Sequence, residues 1–265
     1  MVTGGAGSIG SELVRQLVEQ NSVYLLDNNE TGFFDLYEEL SQKDYKVFGK
    51  VADIRDYSIF ENLPSFDLIF HAAALKHVTP SAWSRMEYIK TNVLGTDNVL
   101  KFAKKCGTKM VNISTDKVVN PTSIMAATKK LAEIMVRDDG QVSVRFGNVL
   151  GSRGSVIPIW QRQLDNNESL KFTDERMMRY FMTIPEACRL VIKAAEIGEP
   201  GQILILDMGE PKSVYNLALE ILKKSGKEHL GMEKIGIRPG EVLVEQLMTE
   251  EEKSRAIKID DFWII

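Results

Sequence analysis

Four glycines stand at the head of the chain, in Thr3-Gly4-Gly5-Ala6-Gly7-Ser8-Ile9-Gly10, directly before a stretch whose Leu13, Leu17 and Val18 share one helical face. Residues 22–27 then read as an apolar strand ending in Asp27. Strand, glycine turn, helix and strand make a βαβ unit, and few folds accept one at this point. Gly4, Gly7 and Gly10 let the chain turn tightly, so that backbone N–H groups around Ser8 and Ile9, at the helix N-terminus, can meet a pyrophosphate. Asp27 lies 17 residues after Gly10, with Asn28 beside it. An acid there accepts from both ribose hydroxyls and repels a 2′-phosphate, so the expected cofactor is NAD rather than NADP. Asp53 and Ile54 follow the third strand, where an adenine would sit. The bland alternative, an ordinary glycine turn with Asp27 as a loop carboxylate, carries little weight in this context.

The alternation continues. A helix is expected at about 33–42, strands at 46–51, 66–71, 110–114 and 142–146, and a helix-patterned segment at 86–105 whose apolar face would serve either a core or a pairing of subunits. Short apolar strands separated by helices imply an α/β fold: a Rossmann-type, doubly wound parallel sheet covered on both faces. After Gly151 the pattern changes to a Gly/Ser loop, a helix through Trp160, a short strand at 170–172 and a helix at 214–224. The buried-looking strand 202–206 returns to the sheet. We therefore expect a nucleotide-binding lobe of residues 1–147 plus about 183–207, and a smaller, discontinuous α/β substrate lobe of about 148–182 plus 208–265. The run Glu250-Glu251-Glu252-Lys253 reads as a solvated helix end.

Composition narrows the function classes. The 265 residues carry 33 Lys+Arg against 37 Asp+Glu, a net charge of -4, with 44% hydrophobic content, which excludes disorder, collagen and coiled coil. Nothing in that balance suggests a nucleic-acid partner. No run reaches the roughly 18 apolar residues of a membrane span. Cys106 and Cys188 fall in helical segments, so a reducing, cytoplasmic setting is expected, and three histidines give no metal site. The few residues before Gly4 are read as a strand shortened by loss of preceding sequence, a strand half or a membrane anchor.

A polar cluster, Ser114-Thr115-Asp116-Lys117, follows the strand at 110–114, and strand carboxyl ends are where open parallel sheets hold ligands. By itself this could be a helix cap. The cluster continues to Met125, Lys129 and Lys130, and with Phe70-His71-Ala72-Ala73-Ala74-Leu75-Lys76-His77-Val78, Lys90-Thr91-Asn92-Val93-Leu94-Gly95-Thr96, residues 145–158, residues 179–187 and Arg238-Pro239-Gly240-Glu241 it resembles the extended short-chain dehydrogenase/reductase superfamily almost end to end. Within that superfamily the chain is similar to the UDP-N-acetylglucosamine 4,6-dehydratases of polysaccharide and bacillosamine biosynthesis, the retaining kind.

That resemblance implies a hydro-lyase acting on a nucleotide-activated N-acetylhexosamine with NAD. Met125 occupies the position where the superfamily usually has Tyr, four residues before Lys129, and a thioether has no proton to exchange. The resemblance implies Lys117 as base at carbon 5 of the sugar, Asp116 as acid at carbon 6, Thr115 as hydrogen-bond partner of the carbon 4 oxygen, and Lys129 on the nicotinamide ribose. Ala72, Ala73 and Ala74 are assigned to the cofactor. Lys76, Asn148, Ser155, Val156, Arg179, Arg238 and Glu241 are assigned to the nucleotide sugar, whose diphosphate needs local cations on an acidic protein. The loop Thr79 to Met86 departs from the family pattern and loosens the substrate expectation. A homo-oligomer is expected. The competing readings are a nucleotide-sugar 4-epimerase and a non-catalytic NAD-binding regulatory module.

Overall fold

The structure is a computed structural model that describes residues 1–43 and 45–265. Its first half runs β1 (Val2–Thr3), α1 (Ser8–Leu17), β2 (Val23–Asp27), α2 (Glu30–Ser41), β3 (Val47–Val51), β4 (Leu68–His71), α3 (Val78–Ser81), α4 (Arg85–Ile89), α5 (Thr96–Cys106), β5 (Lys109–Ile113), α6 (Ile124–Asp138) and β6 (Val142–Arg145). Then follow β7 (Asn148–Leu150), α7 (Val156–Asp165), β8 (Leu170–Phe172), β9 (Met178–Arg179), β10 (Phe181–Thr183), α8 (Ile184–Ile197), β11 (Ile203–Leu206), β12 (Lys212–Ser213), α9 (Val214–Lys224), β13 (Met232–Lys234), α10 (Glu250–Arg255), β14 (Ile257–Ile259) and β15 (Phe262–Ile264). A π-helical stretch, Lys90–Gly95, links α4 to α5.

Among the described residues one sheet dominates, with strand order β14-β15-β11-β6-β5-β4-β1-β2-β3. From β3 to β11 every pairing is parallel, and β15 and β14 add antiparallel strands at the far edge. The order reverses between β1 and β4, and crevices at such a reversal are where doubly wound sheets bind ligands. Alternation along the strands buries both faces. Leu25, Phe70 and Val111 pack with α1, α2 and α8 on one side, while Leu26, Ile69 and Met110 meet Phe60, Val99 and Phe102 on the other. Each such fully buried side chain contributes about 1.5–3 kcal/mol. A separate small core, Trp160, Leu164, Leu170, Met177, Val214, Ala218 and Leu222, holds α7, α9 and β8 together as the second lobe.

The structure differs from expectation at several places. The α2 helix begins a turn earlier than expected, at Glu30, because Asn29 caps it by accepting from Gly32 N. Residues 257–264 do not lie in the smaller lobe: Phe262–Ile264 pairs with β11, since that strand would otherwise present an unpaired apolar edge. The acidic run 250–252 is not simply solvated. Thr249 and Glu252 form a capping box, and Glu252 is buried against Arg145. In the segment 86–105, Tyr88, Val99, Leu100 and Phe102 face the core, while Met86 and Leu94 are exposed.

Candidate active site

At the glycine turn, Gly4 has a left-handed backbone (φ +66°), and a Cβ there would lie 2.5 Å from Ala73 N; one on Gly10 would lie 2.0 Å from Gly4 O. Only glycine permits this approach of α1 to β1 and of the turn to β4. The α1 N-cap, Gly7, offers no side-chain acceptor, so the first N–H groups of the helix face the cleft. Asp27 closes the turn from β2, accepting from Ala6 N at 2.9 Å and from Asn29 N at 2.8 Å. Gly4, Gly7, Asp27, Asn28, Asp53, Ile54, Ala72, Ala73 and Ala74 line one cavity. A glycine cradle, exposed helix N–H groups and a carboxylate at the end of β2 are the donor and acceptor set that a dinucleotide requires.

A second cavity continues from the first and is lined by Ser8, Ile9, Gly10, Lys76, Thr115, Lys117, Met125, Lys129, Asn148 and Ser155. Lys129, buried one helical turn beyond Met125, donates to Ile113 O at 2.6 Å. Burial pulls its amine down to about 8, against the opposing pull of Glu133. Lys76 reaches Ser152 Oγ at 3.3 Å, and its amine is lowered by burial and by the nearby Arg153 and Lys117 charges. A chain of net charge -4 thus concentrates cations at this one place.

The third cavity, between the lobes, is lined by Asp116, Lys117, Asn148, Ser155, Val156, Arg179, Arg238 and Glu241 among others. Lys117 and Asn148 line both this cavity and the second one. A 3-10 turn at Asp116–Val118, with Thr115 as its N-cap, sets the trio. Thr115 Oγ1 donates to Asp116 Oδ1 at 2.9 Å, and Lys117 Nζ lies 3.0 Å from that same oxygen. Asp116 Oδ2 is buried without a donor. Burial raises the Asp116 carboxyl to about 7; Lys117 opposes that rise and Glu245 adds to it. For Lys117, burial acts to lower the amine, but the two carboxylates carry the net shift upward.

The structure therefore gathers the sequence-derived residues along one continuous groove. Arg179 differs from its expected part. Its guanidinium is committed to Met178 O, Leu243 O and Val242 O, with Glu245 3.3 Å away, so it braces the 242–245 segment rather than standing open to a diphosphate. Arg238 is half exposed, with Glu241 at 3.8 Å. Among the described residues the Ser155 hydroxyl is buried and unpartnered. Val78, just before the departing loop, lines the third cavity, while Trp83 within the loop is exposed.

Two site residues escaped sequence reasoning. Glu245 sits 2.9 Å from Lys117 Nζ and accepts from Asn148 Nδ2 at 3.1 Å. Arg153 lines the first two cavities, its backbone N donating to Ser8 Oγ at 2.9 Å and its guanidinium to Ala6 O at 3.4 Å. Arg153 lay within a string that carried the resemblance, next to the assigned Ser155; Glu245 had no local signal.

This architecture and groove define a Rossmann-type protein of the extended short-chain dehydrogenase/reductase class. The chain belongs to the polysaccharide biosynthesis protein family, which matches residues 1–265. It is 41% identical over 274 residues to the capsular polysaccharide biosynthesis protein CapD of Staphylococcus aureus, covering 95% of this chain but only 45% of that relative. It is 32% identical to a UDP-glucose 4-epimerase of Rickettsia canadensis, covering 100% of this chain and 82% of the relative. Among solved structures, Pen from Bacillus thuringiensis superposes with a TM-score of 0.95 at 34% identity, covering 100% and 85% of the two chains. The dTDP-glucose 4,6-dehydratase DesIV from Streptomyces venezuelae, solved with NAD and TYD bound, gives 0.85 at 25% identity, covering 96% and 89%. Among the described residues no helix is long and apolar enough to cross a membrane.

Proposed function

We propose that this chain catalyses the NAD-dependent 4,6-dehydration of a nucleotide-activated N-acetylhexosamine, with UDP-N-acetylglucosamine as substrate, to the 4-keto-6-deoxy sugar. The observation that carries the reading is the Thr115-Asp116-Lys117 trio where the second and third cavities adjoin, with Met125 in place of a phenol. NAD held along the glycine turn supplies a transient oxidation at carbon 4 and its reversal at carbon 6.

The chain's own groups do the rest. Thr115 holds the carbon 4 oxygen. Lys117 removes the carbon 5 proton, which a carbon 4 ketone acidifies, and Asp116 protonates the carbon 6 hydroxyl so that it leaves as water. These roles need a neutral amine beside a neutral carboxylic acid. The 3.0 Å contact lets one proton pass from Lys117 to Asp116, and a substrate that excludes water favours the uncharged pair. Lys117 passes the carbon 4 hydroxyl proton on to solvent as carbon 4 is oxidised, which frees its amine for the carbon 5 proton; Asp116 loses its proton in the departing water and regains one from solvent, and Lys117 returns a proton to carbon 5. The cluster finishes with the proton count it began with.

A 4-epimerase is the second reading, favoured by the epimerase relative. Both reactions must take the proton from the carbon 4 hydroxyl, but an epimerase needs no acid at carbon 6, so Asp116 would have no task there. Incubation with NAD and UDP-N-acetylglucosamine, read by mass spectrometry, separates the two: dehydration removes the mass of one water and epimerisation removes nothing. Asp116→Asn and Lys117→Met should abolish turnover and retain NAD binding. Near-normal turnover in both variants would overturn the assignment.

A further inference from the structure

Asp116 and Glu245 are two carboxylates sharing one ammonium, and their surroundings are unequal. Glu245 has two cations, Lys117 Nζ at 2.9 Å and Arg179 Nε at 3.3 Å, together with the Asn148 amide at 3.1 Å. Among the described residues, Asp116 has Lys117 as its one cation, the Thr115 hydroxyl, and a second oxygen buried with no donor. Two carboxylates in contact do not both ionise in a dry site, and the better-solvated one keeps the charge. An acceptor-only Oδ2 is an orphan as a carboxylate oxygen. As a hydroxyl it becomes a donor, and Glu245 is the neighbouring carboxylate to which a protonated Asp116 side chain can donate.

We infer that Glu245 is a positioning residue that fixes where the site's proton resides: it remains the permanent anion beside Lys117, and so keeps the proton on Asp116, the group that must deliver it. The charged groups facing Glu245 are Asp116 and Lys117 from the 3-10 turn and Arg179 from β9; on its own segment Glu241 is paired with Arg238. Arg179 secures the same arrangement from behind, since its other donors hold the backbone carbonyls of Val242 and Leu243 and thereby the segment that carries Glu245. The inference rests on the dehydratase reading for its catalytic consequence, but the placement of the proton is a property of the protein alone.

The sign of the effect follows from charge. A fixed anion strengthens proton binding at both Asp116 and Lys117. Glu245→Gln removes that anion and leaves Arg179 positive, so both groups give up their protons at lower pH. The bell-shaped dependence of turnover on pH should move bodily downward, each limb by about one pH unit. Glu245→Asp keeps the charge and should return both limbs to their wild-type positions even where turnover is slower. A merely structural residue would lower turnover at every pH and leave the limbs in place, so superimposable limbs in Glu245→Gln and wild type overturn the proposal.

A second measurement needs neither activity nor a variant of Glu245. In wild-type protein with 13C-labelled Asp and Glu carboxyl groups, the Asp116 signal, identified by its loss in Asp116→Asn, should titrate near neutrality while Glu245 remains ionised from pH 5 to 8 (~3 units, chosen to bracket the Asp116 transition). Protonation of Glu245 with Asp116 ionised across that range overturns the proposal. If wild-type protein removes no water from UDP-N-acetylglucosamine, the functional reading fails, and this titration still decides the inference about Glu245.

Discussion

Removing the guanidinium of Arg145 tests how the site is held in place. Arg145 is fully buried at the end of β6 and makes four hydrogen bonds to two carboxylates: Glu133 of α6 at 2.7 and 3.2 Å and Glu252 of α10 at 2.8 and 2.9 Å; a further bond reaches Leu247 O. Glu133 also accepts from Ser114 Oγ at 2.6 Å, at the head of the segment that bears Thr115, Asp116 and Lys117, and lies one helical turn from Lys129. Arg145→Met leaves two buried carboxylates with only the partly exposed Lys130 nearby, 3.3 Å from Glu133 and 4.0 Å from Glu252. Breaking a buried ion pair from one side costs about 3–5 kcal/mol, because the surviving charge has lost its solvent and its partner. The urea midpoint should fall accordingly, and the melting temperature by roughly 10 °C. The triple variant Glu133→Gln, Arg145→Met, Glu252→Gln should recover most of that loss, since no buried charge remains. In Arg145→Met the stranded carboxyls bind protons more tightly folded than unfolded, so the deficit is largest at neutral pH and shrinks as pH falls. A single variant within 1 kcal/mol of wild type (~1, the ordinary effect of one substitution), or a triple variant no better than the single one, would refute this account.

Gly10→Ala should weaken NAD binding at least ~10-fold in a fluorescence titration, because the added Cβ meets backbone at Gly4 rather than a side chain that can yield; unchanged affinity would show that the turn is not the cofactor cradle. His71 sits between Thr3 Oγ1 at 2.7 Å and Thr96 Oγ1 at 3.0 Å, and burial, reinforced by the Lys129 charge, lowers it to about 3. The unfolded chain therefore binds an extra proton between about pH 3 and 6.5, and stability should fall as pH drops through that window, by roughly 5 kcal/mol in all. Replacing His71 with Asn should flatten this slope in urea titrations run at several pH values, and equal slopes would contradict the buried neutral imidazole.

What was legible in the sequence was what is written locally. The glycine turn, Asp27 and the 114–130 cluster announce themselves by spacing within a few residues, and strands such as β5 and β11 by short apolar runs. The rest depends on partners distant in the chain. Glu245 meets Lys117 across 128 residues of sequence and Glu252 meets Arg145 across 107, and neither carboxylate differs locally from a surface acid. The same holds for 257–264, expected in the smaller lobe, because nothing local shows that Phe262–Ile264 pairs with β11. Arg179 lines the third cavity with its guanidinium on backbone carbonyls, and sequence shows an arginine but not which carbonyls surround it.

The position of β15 also bears on how the chain is made. Ile203 N and Ile265 N exchange hydrogen bonds with each other's carbonyls, so β11 acquires its outer partner only once the stretch around residue 262 has been synthesised. Until then a fully buried apolar strand, Ile203–Leu206, forms an open sheet edge on the growing chain. Such an edge is a template for pairing with another nascent chain. Truncation before Phe262 should therefore yield aggregation during expression rather than a soluble, weakened protein, although the residues removed lie outside the three cavities of the groove.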